Sequence, residues 1–412
     1  MKIAILTITS IIAWSTIALI GAYDGWWLKR VAEPGDAEVF MRWLVTTIND
    51  RNAVNAAVIL IEDGEIVNEF YSTTVDIIDE NTLFPTASLS KWITAAGVMR
   101  LVESGQIDLD KSISTYLNRW QLPPSEFSNE AVTPRLLLAH SSGLTDRLGF
   151  GDYLPTENVP SLVQTLQNPR ASSNKEAVVK LGRIPGTEYQ YSGGGYGILQ
   201  LLIEDVSGKD FTSFIQGEVF EPLMMSRSTY SNIANFTNIS HSYDTNGEKA
   251  PLYQYAVAGA TGLSSTASDL ARFAIAQVNP EHFHDFLAPA TIQTMLKPAG
   301  FANGQPVRGL GPKLYKIPSG GFLAGHDGGN DPAISSTLRI NPSSNDAIVV
   351  LITGHPTLAF EIGFYWNYWQ AGIIDRGLGE VVIASAVPAI LIGACVILLL
   401  ATLHVIIRTR AW

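Results

Sequence analysis

Two long apolar stretches without a charged residue bracket this chain, and they restrict its architecture more than any other feature. Ile3 to Tyr23 and Val381 to Ile407 contain no Asp, Glu, Lys or Arg. Each is long enough to cross a hydrocarbon layer of roughly 30 Å as a helix, and Pro388 and His404 are tolerable interruptions of the second. Lys2 precedes the first stretch, and Arg408 and Arg410 follow the second. The positive-inside rule then places both ends in the cytoplasm and the residues between on the periplasmic or extracellular side. Lys29 and Arg30 run mildly against this, and Asp24 and Glu33 partly offset them. Near the end of the first stretch lies Ala18-Leu-Ile-Gly-Ala22. A cleaved signal peptide and a retained anchor both fit it, with the length of the run favouring the anchor. Trp26, Trp27, Trp366 and Trp369 fall near the expected interfaces, where indoles anchor well; Trp366 and Trp369 equally suit the core of a terminal helix. The chain divides into residues 1–30 (signal anchor or signal peptide), 31–375 (outer domain) and 376–412 (transmembrane helix and short cytoplasmic tail).

Charge and cysteine usage exclude several functions for the outer part. The 412 residues include 27 basic and 38 acidic ones, a net charge of −11. They form no basic stripe, so nucleic acid is not an expected partner. Cys395 is the single cysteine and lies inside the C-terminal span, which leaves the outer domain without disulfide or thiol chemistry. The seven histidines show no HExxH spacing, and His282-Phe-His284 reads as solvated surface. No metal and no organic cofactor is implied.

Between the spans, the pattern of elements suggests an α+β domain. Asp36 can cap a helix through Val39, Phe40, Trp43, Leu44 and Ile48. Ala57-Val-Ile-Leu-Ile and Ile66-Val-Asn-Glu-Phe-Tyr read as a hairpin around Glu62-Asp63-Gly64. Helices and loops fill roughly residues 105 to 300, including an apolar helical run from Tyr196 to Val206 and a capping-box pattern at Thr266-Ala-Ser-Asp269. Strands return at Gly321–His326, Ile334–Ile340 and Ala347–Ile352, and a closing helix spans Thr357–Gly372. The expected fold is an antiparallel sheet built from both ends of the domain, with flanking helices and an inserted helical subdomain.

The chemistry concentrates first at Ser88-Leu89-Ser90-Lys91, which opens a buried helical run through Trp92, Ile93, Ala96, Met99 and Val102, with Gly105 as its stop. Residues three apart share a helix face, so the Ser88 hydroxyl and the Lys91 amine can meet. The helix N-terminus adds free N–H groups and positive potential. A nucleophile, a proton acceptor and an anion-stabilising end are what acyl transfer through a serine ester needs. The spacing alone is weak: Ser172-Ser-Asn-Lys175 repeats it in a polar stretch and reads as incidental.

Two further segments carry candidate groups. In Tyr191-Ser-Gly-Gly-Gly, glycines allow close backbone approach, and Tyr191 can share a proton with a serine–lysine pair. In Gly325-His326-Asp327-Gly328-Gly329, a strand ending in a glycine turn presents backbone N–H groups, and Gly329 N–H with Ser88 N–H can hold an oxyanion. In this order the three segments resemble the serine β-lactamase-like hydrolases, in particular the branch of class C β-lactamases, D-alanyl-D-alanine peptidases and family VIII esterases. The resemblance covers about residues 35 to 355. It extends to Arg135-Leu-Leu-Leu-Ala-His140-Ser-Ser-Gly143-Leu, Glu221-Pro-Leu-Met-Met and Thr261-Gly-Leu-Ser-Ser-Thr-Ala-Ser-Asp-Leu-Ala-Arg-Phe.

By that resemblance the fold is β-lactamase/transpeptidase-like, Ser88 is the nucleophile, and Lys91 and Tyr191 are its coupled proton partners. Which of the two takes the first proton is disputed in related enzymes. His326, Gly328 and Gly329 form the strand motif beside the acyl site, and the His140 segment is structural. Two departures bear on substrate. Gly193 stands where the family's tyrosine motif has asparagine, which removes a side-chain amide. His326 stands where β-lactamases and peptidases have lysine, which removes a fixed cation. The expected activity is therefore a membrane-anchored serine hydrolase acting on a small-molecule or peptide acyl substrate: an ester, a D-amino-acid peptide or a β-lactam, in falling order. A non-catalytic penicillin-binding-like sensor or binding domain on the same fold is the alternative.

Overall fold

A computed structural model describes residues 2–72, 75–146, 152–170, 178–330, 333–375 and 379–410. The incidental Ser172–Lys175 repeat lies outside the described residues. Two compact units are present, one formed by residues 40–363 and the other by residues 1–39 with 364–412. In chain order the main helices are α1 (Lys2–Tyr23), α2 (Ala37–Asp50), α3 (Ser90–Glu103), α4 (Gly193–Ser207), α5 (Ala267–Val278), α6 (Leu358–Ala371) and α7 (Gly379–Arg410). The larger unit is built on an eight-stranded antiparallel sheet. Its strands are β1 (Asn55–Glu62), β2 (Glu65–Tyr71), β3 (Gly300–Ala302), β4 (Gln305–Arg308), β5 (Lys313–Lys316), β6 (Phe322–Asn330), β7 (Ile334–Asn341) and β8 (Asp346–Thr353). Their spatial order is β2-β1-β8-β7-β6-β5-β4-β3.

Both ends of the domain meet inside this sheet, one strand in from its β2 edge. Residues Asn55–Ile61 of β1 pair with Ala347–Thr353 of β8, so a strand from the start is zipped to one from the end. The β1–β2 turn uses Asp63 and Gly64, both at positive φ, the geometry a two-residue hairpin favours. Ala57, Ile59 and Ile61 share one core with Leu338, Ile340, Val349 and Leu351, and with the helical residues Trp92, Val98, Leu199, Leu202 and Phe273. That alternation along β1, period two, is what puts one face of the strand against the helical layer. α3 and α4 lie at the centre of this layer, and nearly every side chain of α3 is buried, including that of Lys91.

Several expected elements lie close to where the sequence placed them. The Asp36 carboxylate accepts from Val39 N–H at 3.0 Å and starts α2. Gly105 takes φ +74° just past α3. Thr266 caps α5 by accepting from Asp269 N–H at 3.0 Å. The reciprocal half of that capping box is absent among the described residues, because the Asp269 carboxylate accepts instead from Arg227 and Ser228 N–H. Strands β3, β4 and β5 were not expected: they are only three or four residues long, too short for alternation to show. β6 also differs. It runs straight through Gly328 and Gly329 to Asn330 rather than ending in a turn there.

In the smaller unit, α1 and α7 are each long and apolar enough to cross a membrane. Trp366 and Trp369 are buried, the latter with its indole N–H donated to Glu33 O at 2.7 Å, whereas Trp26 is exposed.

Candidate active site

Ser88 sits in a single 3₁₀ turn, Ala87–Leu89, that leads directly into α3. The turn is held from several sides. Ala87 adopts φ +48°, a left-handed conformation unusual for alanine. Its carbonyl accepts the Ser90 hydroxyl at 2.5 Å, and Ser90 Oγ in turn accepts Leu263 N–H at 2.9 Å. Thr86 O accepts from Ser336 Oγ at 2.8 Å, which ties the turn to β7. One turn into the helix, Lys91 is 2 % exposed. Its Nζ donates to Ser88 Oγ at 3.1 Å and to Ala260 O at 2.7 Å. The short helix Ala258–Thr261 presents that carbonyl because Thr94 Oγ1 donates to Gly259 O and Gln200 accepts from Gly259 N–H.

Tyr191 precedes α4 and lies beneath the same amine, with Lys91 Nζ 4.9 Å from its ring centroid. His140 fixes the segment on both sides of Tyr191. Its carbonyl accepts Gln190 N–H at 2.7 Å, its Nδ1 accepts Ser192 N–H at 3.1 Å, and its ring stacks on Tyr191 at 4.4 Å. Burial pushes the His140 imidazole well below the usual range, with the Arg308, Lys91 and His326 charges adding to the effect. The ring is thus a neutral prop whose acceptor nitrogen is already used. Asp146 braces the other side: it accepts from Ser192 Oγ at 2.6 Å and from Gly194 N–H at 2.7 Å. Burial raises its carboxyl despite these bonds.

The third segment comes from β6. Strand β5 pairs with Phe322–Gly325 of β6, so among the described residues no strand pairs with that edge of β6 from His326 to Gly329, where it runs past the Ser88 turn. Gly328 permits this approach. A Cβ there would overlap Thr86 O, approach Ser336 Oγ at 2.5 Å and reach 3.0 Å from Ser88 N. At Gly329 a Cβ would press on the Phe360 ring at 2.8 Å. The glycines serve close packing, which is why no turn forms. His326 is buried, with Nδ1 2.8 Å from Asp327 O. Burial, then Arg308 and Lys91, hold its imidazole well below the usual range.

Ser88, Tyr191, His326 and Gly329 line one cleft of about 600 Å³, together with Arg308, Lys313, Asp327 and Phe360. Lys91 stands behind Ser88, out of the lining. Gly328 is packed under the turn, and Gly193, at the first position of α4, is buried away from the cleft. Sequence reading missed Arg308 and Asp146. The Arg308 guanidinium is buried and lies 5.4 Å from the Tyr191 centroid and 5.8 Å from that of Tyr189. It donates weakly to Tyr189 Oη at 3.3 Å and makes no ion pair among the described residues. A fixed cation therefore does stand at the cleft, supplied by β4 rather than by the strand motif. Nothing in the local sequence marks it, since its placement depends on the β4–β5 pairing. His282 and His284 lie exposed on the surface, far from any role in this cleft.

A hydroxyl touched by a buried amine, beside a phenol and a strand edge, is an arrangement that acyl transfer through a serine ester can use. A family model described as Beta-lactamase matches residues 30–370, and the chain belongs to that family. The chain is 28 % identical over 316 residues to penicillin-binding protein 4* of Bacillus subtilis (strain 168), an alignment covering 70 % of this chain and 66 % of the relative. It is 24 % identical over 318 residues to protein flp of Staphylococcus aureus (strain MW2), covering 72 % and 59 %. The chain thus spans less than two thirds of the length of these relatives. Among solved structures, the octameric penicillin-binding protein homologue from Pyrococcus abyssi superposes with a TM-score of 0.65 at 24 % identity, covering 81 % of this chain and 77 % of that one. The β-lactamase/D-alanine carboxypeptidase from Pseudomonas syringae does so with 0.63 at 16 %, covering 80 % and 97 %. These two likenesses show the fold. Family membership supports serine-hydrolase chemistry through an acyl-enzyme.

Proposed function

We propose that this chain is a membrane-tethered serine hydrolase whose domain faces the periplasm or cell exterior. In this reading Ser88 Oγ attacks the acyl carbonyl, and its proton passes through the Lys91–Tyr191 unit to the leaving group as the carbonyl–leaving-group bond breaks. Water then adds to the Ser88 ester by the reverse proton path and releases the acid. The N–H groups of Ser88 and Gly329 hold the oxyanion, and the β6 edge between His326 and Gly329, backed by Gly328, aligns the substrate. The observation that carries the reading is the Lys91 Nζ to Ser88 Oγ contact, at 3.1 Å, beside a cleft that Ser88 shares with Tyr191, His326 and Gly329. The tether rests on the apolarity of α1 and α7 and on the basic residues at their ends.

The substrate is an ester or a D-amino-acid peptide ahead of a β-lactam. His326, buried and held below its usual range, supplies no cation at the strand motif, while Arg308 offers a charge for a substrate carboxylate. The Pseudomonas syringae neighbour, named a β-lactamase/D-alanine carboxypeptidase, supports keeping peptides in this set. The test is kinetic: p-nitrophenyl acetate, a D-Ala-D-Ala peptide and nitrocefin compared side by side on the detergent-solubilised protein. The ester is expected to turn over fastest and nitrocefin slowest. Arg308→Met is expected to raise KM for the peptide and leave that for the neutral ester nearly unchanged. Nitrocefin outpacing both other substrates would contradict the assignment.

A further inference from the structure

The two apolar helices of the smaller unit are joined by specific contacts. Ala22 clusters with Val382 and Ala386, while eight residues earlier Trp14 reaches Ala389 and Gly393. Moving back along α1 therefore moves forward along α7, so the pair is antiparallel. The Trp14 indole N–H donates to Ala389 O at 2.8 Å. A Cβ on Gly393 would overlap that indole, so only glycine leaves the notch open. Trp27 stacks edge-on against Trp14, with centroids 6.4 Å apart, and donates its own indole N–H to Ala18 O at 2.7 Å. In lipid an indole N–H without an acceptor is costly, and small residues let helices approach closely.

The buried residues of α1 are Ala18, Gly21 and Ala22. These are the small residues at which a signal peptide would be cut. By contrast Ile5, Leu6, Ile8 and Ile12 are 56–68 % exposed, as lipid-facing side chains are. The 22 residues of α1 span about 33 Å at 1.5 Å per residue, enough to cross the apolar layer. Antiparallel pairing also brings Lys2 to the same end as Arg408 and Arg410, which agrees with the positive-inside rule.

We propose that α1 stays on the mature chain as the first leg of a transmembrane hairpin with α7, keyed by Trp14 in the notch at Gly393. This rests on the membrane tether proposed above and not on the identity of the substrate. The test begins with unmodified full-length protein. Membranes are washed with alkaline carbonate, and the retained protein is extracted in mild detergent for intact mass and N-terminal sequencing. Retention in the pellet with a chain beginning at Met1 or Lys2 is expected. Retention with a chain beginning after Ala22 overturns the proposal and leaves the tether standing through α7. Release into the wash overturns the tether, and the proposal with it. The pairing itself is read by copper-phenanthroline oxidation in a Cys395→Ser background. Trp14→Cys with Gly393→Cys is expected to form an intramolecular disulfide, and Ile12→Cys with Gly393→Cys, from the lipid-facing side, is not. Failure of the first pair, or equal yield from both, overturns the register.

Discussion

Each residue of the cleft is only as useful as what holds it. In the proposed mechanism Ser88, Lys91 and Tyr191 share one proton, so Lys91→Ala and Tyr191→Phe are each expected to cost nearly as much kcat as Ser88→Ala, because losses within such a unit do not add. Asp146 is a positioning residue: its carboxylate ties Ser192 and the start of α4, and so fixes the Tyr191 segment. Asp146→Ala is expected to lower kcat sharply and to destabilise the fold by about 3 kcal/mol, the scale of two bonds to a buried charge. Asp146→Asn should recover much of both, as read by ester hydrolysis and thermal melts. His140 and His326 give a pH signature. Both rings are held well below 6.5 in the folded protein. Below pH 6.5 the unfolded chain therefore binds protons that the folded one does not. Stability is then lost as pH falls through 6.5, by about 1.4 kcal/mol per pH unit for each ring. Asp146, raised by burial, acts with the opposite sign. His140→Asn suits the positive φ at this position (55°). It is expected to reduce the slope between pH 6.5 and 5.5 in denaturant titrations, to which His355, also held below its usual range, contributes with the same sign; an unchanged slope would contradict the burial argument.

At the scale of elements, the site is an agreement between a helix start and a strand edge. Gly328→Ala forces a Cβ onto Thr86 O. β6 or the Ser88 turn must then shift, with an expected loss of about 1–3 kcal/mol and a larger proportional loss of kcat. Ser90→Ala removes the donor to Ala87 O and the acceptor of Leu263 N–H. It is expected to cost about 1–3 kcal/mol, visible in the denaturation midpoint. What the sequence made legible follows the same division. The Ser88–Lys91 contact and the course of α3 were readable because they rest on neighbours within one turn. The β1–β2 hairpin and β7–β8 were readable because their alternation and turn residues are strong. Arg308 and Asp146 were hidden because their meaning arises from pairing across distant segments. At Gly328-Gly329 a local rule misled: glycine usually marks a turn, yet here it marks the closest approach of two backbones.

For the whole molecule, the sheet binds the two ends of the domain into one folding unit. β8 lies between β1 and β7 in the interior of the sheet. A chain ending at Asn341 leaves the neighbouring edges of both unpaired and opens the core at Val349 and Leu351. It is expected to show no protease-resistant domain and no cooperative melt. The long sequence separation of these pairs also predicts slow folding compared with helical proteins of the same size. The central claim, that Ser88 forms an acyl-enzyme, is tested most directly by treating the detergent-solubilised full-length protein with a fluorophosphonate and mapping the adduct by mass spectrometry. The account predicts a stoichiometric adduct on Ser88 that Ser88→Ala abolishes. A folded protein that stays unlabelled, or that labels equally in Ser88→Ala, would contradict it.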